Sequence, residues 1–370
     1  MTTVPPRYAL LAEGRFELHD AKTAVGMLRY RPERVAAVID STHAGRTAQE
    51  CVGCGGAVPV VSTVEAAERA GANALLLGIA PQGGELPEPW RATVRDAIAR
   101  GFDVVAGLHQ FLADDPELAA LARQRGVRMI DVRRPPAARP IAACRAAAVD
   151  AFVVLTIGSD CNSGKMTTTF EVERALAARG VRVAVVATGQ TGILVAGSGV
   201  AIDAVPADFV AGTAEQLVLE AAESADIVLV EGQGALHHPA YSGVSLGLLH
   251  GACPAAMILC HQEGRTELRM GAAPPLPLPA LTAVRDAAEA AAAWVRPARV
   301  IGVALDTSEL GAAAALAACE QRGRELGVPA TDTVRHGAEG LAEAVLAAAQ
   351  RSGRAARAAS PAGQGQGRTA

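Results

Sequence analysis

Gly164 and Lys165, which close a polar loop behind an apolar run, are the residues of this sequence best suited to hold a phosphate. The stretch FVVLTIGSDCNSGKMTTTFEVERAL (152–176) reads as a strand, a loop and a Thr-rich helix start. Backbone N–H groups at such a start form an anion cradle, reinforced by the helix dipole. Gly164 lets the backbone come close to the anion, and Lys165 adds a point charge. The candidate phosphate-binding set is Gly158, Ser159, Asp160, Asn162, Ser163, Gly164, Lys165, Met166, Thr167 and Thr168. Lys165 is one of only two lysines among 34 basic residues; the other is Lys22, at the start of an expected helix. Guanidinium and ammonium groups are not interchangeable where a compact charge must reach a phosphate. The spacing departs from the strict phosphate-loop pattern, because Gly158 lies six residues before Gly164 where five is standard. Met166 also stands where Ser or Thr would ligate magnesium, so Thr167 becomes the candidate ligand.

A second constellation follows a later apolar run. Ile227–Val230 ends in Glu231-Gly232-Gln233-Gly234. A carboxylate at a strand's C-terminal end beside a phosphate loop is placed to hold Mg²⁺, with Thr167, or to act as a base. The flanking glycines point to close backbone approach. His237 and His238 follow, then His250 and His261, a spacing that fits no compact zinc pattern. One of His237 and His238 is expected to face the site, as acid or base or as a donor to a substrate carboxylate, with the others bonded structurally. Lys165, Glu231, His237 and His238 are therefore the candidate catalytic residues. ATGQTG (187–192) is read as another strand end, which makes Gln190, Thr191 and Gly192 candidate substrate-binding residues, with Gly232, Gln233 and Gly234. Asp203 and Asp208 are assigned to the loop that follows, and Asp306-Thr307 to the end of a further strand.

The elements that must position these groups alternate strand and helix almost from end to end. Strands are expected at Tyr8–Ala12, Val35–Ile39, Ala74–Ile79, Val104–Gly107 and Val127–Asp131, with helices around Ala21–Tyr30, Val64–Ala70, Trp90–Arg100 and Pro116–Gln124. This is βαβ grammar, which implies a parallel sheet covered on both faces. RRPPAARP (133–140) breaks it, because three prolines in eight residues cannot continue a helix or an interior strand. The grammar restarts with strands at Phe152–Ile157, Val181–Ala187, Ile227–Val230, Ala256–Cys260 and Val300–Leu305, and helices at Thr167–Arg179, Leu281–Val295 and Gly337–Gln350. The expected architecture is α/β: a Rossmann-like parallel-sheet domain at 1–140, a P-loop NTPase-like α/β domain at 141–350 and a disordered tail at 351–370. The first domain lacks G-x-G-x-x-G, which disfavours a nicotinamide-dependent dehydrogenase.

Composition narrows the function classes. The net charge is −4, and the last 20 residues carry four Arg and no acid, so the body is more acidic than the whole. That argues against general nucleic-acid binding, which needs a basic face. No apolar run reaches the ~18 residues of a membrane span, and the first residues lack a signal-peptide pattern. Seven scattered cysteines do not suggest a disulfide framework; a cytoplasmic protein with reduced thiols is expected. Cys51 and Cys54 form a lone C-x-x-C, read as structural. Cys161 is read as a small residue packed under the loop.

GSDCNSGKMTT, ATGQTG and EGQGALHHPAYSGVSLGLLHG together resemble a bacterial family of two-domain P-loop proteins long left as a domain of unknown function. AKTAVGMLRY, AVIDSTHAGR, LLLGIAPQGG, GLHQFLADDPELAALA and IDVRRPP are similar to that family's N-terminal region, so the resemblance covers about residues 5–350. The six-residue glycine step and the Glu-Gly-Xaa-Gly segment are also similar to the dethiobiotin-synthetase branch of P-loop proteins. The family's characterised activity, D-glutamate N-acetyltransferase, implies acetyl transfer from acetyl-CoA to the amine of an acidic D-amino acid, D-glutamate first. Lys165 would then hold CoA phosphate, Glu231 or a histidine at 237–238 would be the base, and backbone N–H groups of Gly232–Gly234 would stabilise the oxyanion. The dethiobiotin-synthetase likeness implies the alternative, an ATP- and Mg²⁺-dependent kinase or ligase acting on a small carboxylate. A non-catalytic nucleotide-binding regulator or metallochaperone of the same branch is the third reading, disfavoured by the lack of a metal-binding cluster in the sequence and by the candidate base in a polar, glycine-rich crevice. Homo-oligomerisation is left open.

Overall fold

The computed structural model describes residues 5–18, 20–79, 84–271 and 274–354. The chain divides into two compact units, one of residues 1–137 with 189–204, the other of 138–188 with 205–370. The expected tail lies outside the described residues from 355 onward; residue 351 instead closes a helix.

The first unit runs β1 (Tyr8–Leu11), α1 (Lys22–Tyr30), β2 (Val35–Ile39), α2 (Ala48–Val52), β3 (Val60–Val61), α3 (Val64–Arg69), β4 (Ala74–Leu77), α4 (Glu88–Ala99), β5 (Asp103–Ala106), α5 (Pro116–Arg125) and β6 (Met129–Asp131). Its strands pair in parallel in the order β3-β2-β1-β4-β5-β6. This is the doubly wound Rossmann order, whose ligand crevice opens where the winding reverses, between β1 and β4. Local chemistry sets the helix ends. Thr47 and Glu50 form a reciprocal capping box on α2, and Asp115 caps α5 ahead of Pro116. At the end of β2, where dinucleotide-binding sheets keep an acid for ribose, the buried Asp40 is already engaged. Its carboxylate accepts the N–H groups of Gly14, Phe16 and Thr42 and meets His43 Nδ1 at 2.8 Å.

The second unit runs β7 (Phe152–Gly158), α6 (Lys165–Ala177) and β8 (Val183–Val186); α7 (Gln190–Ala196) then belongs to the first unit. It resumes with α8 (Ala207–Ala222), β9 (Ile227–Val230), α9 (Ser242–Ala252), β10 (Ala256–Gln262), α10 (Leu281–Ala293), β11 (Arg299–Asp306), α11 (Ala312–Leu326), β12 (Ala330–Thr331) and α12 (Glu339–Arg351). The parallel order is β12-β11-β10-β7-β9-β8, with β7 central between β10 and β9. Leu155 lies opposite Val230 in register, so the chain following β9 leaves the sheet beside the end of β7. Both faces bury Val, Leu, Ile and Ala, including Val153, Val228 and Leu259 on one side and Val154, Leu341 and Val345 on the other. Burial on both faces is what a parallel sheet covered by helices requires.

Several helices were not legible as such. In place of the expected strand end at 187–192, α7 starts at Gln190, and Asp208 sits in the first turn of α8 and not in a loop. Asp203 lies in a single 3₁₀ turn. The segments of α7, α8 and α9 are rich in Gly and Ala and apolar on most sides, so they show no amphipathic stripe. The linker is tied down rather than loose. Glu215 of α8, fully buried, accepts the N–H groups of Ala143 and Arg145 and pairs with the Arg145 guanidinium at 2.8 Å. Gly212 is required beside it, because a Cβ there would collide with the Pro140 carbonyl.

Candidate functional site

The loop between β7 and α6 folds as an anion nest. Asn162 and Gly164 both take left-handed backbone conformations, with φ of 55° and 88°. Such alternation turns successive N–H groups toward one concavity, and the first N–H groups of α6 have no intrahelical acceptor. Lys165 is buried and its ammonium donates to the Asp160 carbonyl at 2.8 Å and to Ser163 Oγ at 3.3 Å. Burial pushes its pKa below the ordinary lysine value, opposed by nearby groups that include Asp160 and Glu231. A Cβ at Gly158 would stand 2.9 Å from the Asp160 carbonyl and would displace the Lys165 ammonium and the Ser163 hydroxyl, which lie 2.5 and 2.6 Å from that place.

Asp160 braces the loop from behind. Its buried carboxylate accepts the Cys161 N–H at 2.6 Å, Arg265 Nη1 at 2.9 Å and the Arg269 N–H at 2.9 Å. Arg265 also donates to the Cys161 carbonyl at 2.7 Å. Neither Arg265 nor Arg269 was singled out from the sequence, because nothing local marks an arginine that closes on a loop about 100 residues earlier.

Glu231 directly follows β9 and is almost fully buried, and its Oε2 accepts the Thr188 N–H at 3.0 Å. Gly232 follows with its N–H on Thr156 Oγ1 at 3.0 Å, and a Cβ there would run into the Thr156 carbonyl. This corrects one expectation: the Gly232 N–H is already spent inside the fold and is not a free oxyanion donor. The Gln233 amide donates to the Thr188 carbonyl, and the Gln233 carbonyl accepts Ser245 Oγ at 2.7 Å. Gly234 takes a positive φ of 59°.

The paired histidines separate clearly. His238 is buried, with Nδ1 accepting the Ala240 N–H and Nε2 donating to the Arg269 carbonyl. Both its nitrogens are thus occupied by backbone. His237 is half-buried and donates from Nε2 to the Ser159 carbonyl at 2.7 Å, leaving Nδ1 without a hydrogen-bond partner among the described residues. Burial lowers the His237 pKa, so the ring is neutral with an open lone pair near neutral pH. His261 bonds Ser159 Oγ at 2.8 Å and His250 the Ala291 carbonyl at 3.0 Å.

Asp160, Cys161 and His238 bring ligand atoms within 4.8 Å of one another. Their valences are nevertheless turned elsewhere: Asp160 carries an arginine and two N–H groups, and both His238 nitrogens bond backbone. For Mg²⁺, Glu231 offers a carboxylate oxygen and Thr167 a half-buried hydroxyl, which suit a hard cation. Thr168 is buried, with its hydroxyl 3.5 Å from Cys260 Sγ, and Met166 offers no oxygen.

Gln190, Thr191 and Gly192 lie in α7 and are placed with the first unit. Gln190 accepts from Arg133 at 3.0 Å, and Thr191 Oγ1 lies 2.9 Å from Thr23 Oγ1. Arg133, buried, also pairs with Asp203 and approaches His109 Nδ1 at 3.3 Å. Its Nε is buried without a partner among the described residues. Lys22 is exposed at the first position of α1. Asp306 ends β11 and accepts the Ser308 N–H, while Thr307 is anchored on Asp332. Cys51 and Cys54 are free thiols whose pKa values burial raises. Among the described residues no helix is long and apolar enough to cross a membrane.

Residues 140–342 match the family described as "Domain of unknown function (DUF1611_C) P-loop domain", and residues 41–135 match its N-terminal, Rossmann-like companion. A curated protein of Tritonibacter scottomollicae named D-glutamate N-acetyltransferase is 37% identical over 329 residues, 88% of this chain and 94% of that one. A second of the same name, from a Pseudoalteromonas species, is 38% identical over 276 residues, 74% of this chain and 82% of that one. The crystal structure of a DUF1611 family protein from Anabaena variabilis superposes with a TM-score of 0.88 at 38% identity, covering 93% of this chain and all of that one.

Proposed function

The chain belongs to the DUF1611 family, and from that premise we propose that it transfers the acetyl group of acetyl-CoA to the amine of an acidic amino acid, D-glutamate first. The names of its relatives support the reaction class. The single observation that carries the rest is the anion nest at 158–165 with its buried ammonium. In this reading the nest and Lys165 hold the phosphates of CoA.

The amine arrives as an ammonium ion and must lose a proton before or as it attacks the thioester carbonyl. His237 suits that task, with Nε2 fixed on the Ser159 carbonyl and Nδ1 open. Glu231 is the second candidate. The attack makes the carbon–nitrogen bond, the tetrahedral oxyanion collapses, and CoA leaves as the thiol. Donors for that oxyanion must be other than the Gly232 N–H.

The position of His237, bonded to the loop itself at 2.7 Å, favours a second use of the nest. Pantetheine separates the thioester of CoA from its diphosphate, so a base on the loop sits closer to the loop-bound anion than to the thioester. If that anion is the acceptor's carboxylate, amine and base meet directly. The two uses differ in one measurement. Lys165→Ala raises KM for acetyl-CoA when the loop holds the donor, and KM for D-glutamate when it holds the acceptor.

The reading is tested by mixing the purified protein with D-glutamate and either acetyl-CoA or ATP·Mg²⁺, then following free thiol and ADP. Thiol release with N-acetylglutamate as product is expected. ADP release without thiol release would sink acetyl transfer in favour of an ATP-dependent kinase or ligase.

A further inference from the structure

Positive charge gathers at a second place in the second unit, at the end of the sheet opposite the phosphate loop. A cleft of about 330 Å³ lies there, within the range of small-ligand pockets. Its floor includes Phe152, Ala256 and Ile301, and its rim carries Arg296, Arg299 and Arg351. Phe152, Ala256 and Arg299 are the first residues of β7, β10 and β11, whereas the phosphate loop follows the last residue of β7.

The arginines here are under-used compared with those elsewhere. Arg91, Arg145 and Arg322 each hold a carboxylate at 2.7–2.8 Å. Arg299 has Glu289, but Arg296 spends one donor on the Cys253 carbonyl at 2.9 Å and has no carboxylate partner among the described residues. Arg351 shows no hydrogen bond or ion pair among them, and Arg354 makes only two long bonds, 3.3 and 3.4 Å, to the carbonyls of Ala147 and Ala151. Burial lowers the pKa of Arg296, and the charge of Arg354 lowers it further, so like charges face one another. Each guanidinium carries five donors in a planar fork that matches oxyanions. Residues 355–370 add Arg357 and Arg368 and no Asp or Glu side chain.

We propose that this cleft binds a small organic anion bearing two or more phosphate or carboxylate groups, with its apolar part over Phe152 and Ile301. The site is separate from the phosphate loop and does not rest on the acetyl-transfer reading. Its distance from the loop makes the ligand an effector or stabiliser rather than a reactant.

The test is titration calorimetry on the full chain at fixed ionic strength, with pyrophosphate and citrate as separate probes. It uses wild type, Lys165→Ala and the double variant Arg296→Ala/Arg351→Ala. Saturable binding of at least one probe survives Lys165→Ala and weakens at least tenfold in the double variant. Preference for pyrophosphate or citrate tells phosphate from carboxylate. Loss of all binding in Lys165→Ala, unchanged affinity in the double variant, or only non-saturating association in wild type would each overturn the proposal. Should the double variant fail to fold by circular dichroism, Arg351→Ala alone, an exposed position, is required to weaken binding.

Discussion

His261 makes the second unit sensitive to acid. The residue lies on β10, paired opposite Leu305, and its Nδ1 bonds Ser159 Oγ at 2.8 Å at the root of the phosphate loop. Burial pushes its pKa from 6.5 down to about 4, a shift that Glu263 opposes and Arg322 and Arg265 reinforce. Because the folded value lies below the unfolded one, the unfolded chain takes the proton first. The associated stability is whole above about pH 6.5 and is lost as pH falls through the window down to about 4. At 1.36 kcal/mol per pKa unit the full term is about 3 kcal/mol, of which about 2 kcal/mol has gone by pH 5. Side-chain exposure is only 3%, so solvent screening takes little from it. Equilibrium urea unfolding of wild type and His261→Asn at pH 7.5 and 5.0 isolates the contribution of His261 and its coupling to Glu263, because titrating groups remote from position 261 act equally on both. Wild type should lose about 2 kcal/mol more than the variant between these conditions. Equal losses would refute the assignment of a buried, neutral imidazole at this position.

Other perturbations follow from the same geometry. His237 has its pKa lowered by burial, so as the base it leaves kcat/KM flat above its ordinary value and falling only as pH drops through the lowered one; a pH–rate profile unchanged in His237→Gln would remove it from the mechanism. Gly232→Ala forces a Cβ into the Thr156 carbonyl and should cost more than about 2 kcal/mol in a denaturation curve. Glu215→Ala removes the buried carboxylate that ties down the N–H groups of the exposed Ala143 and Arg145, costing about 2 kcal/mol and speeding proteolysis at residues 138–145.

What could be read from the sequence was what short-range chemistry writes into it. The apolar runs at Val35–Ile39 and Ile227–Val230 are strands with those same bounds, because parallel strands buried on both faces are continuous apolar segments. The nest at 158–165 was legible for a similar reason, since loop conformation and helix start are local. What was not legible depends on distance along the chain. Arg265 and Arg269 close on Asp160 from more than 100 residues away, and no local pattern marks them. The roles of His237 and His238, adjacent in sequence, diverge only because one ring meets the Ser159 carbonyl and the other the Arg269 carbonyl. Residues 189–204 show the limit most sharply. They follow a strand of the P-loop half by a single turn of chain, which suggested a place in that half's crevice. Yet Gln190 and Thr191 bond Arg133 and Thr23 of the Rossmann-like unit. Gly107 has room for no Cβ there, because Gln190 would stand 2.8 Å from it. A segment that leaves one sheet to complete another has no signature in its own periodicity, only in the side chains of the unit it joins.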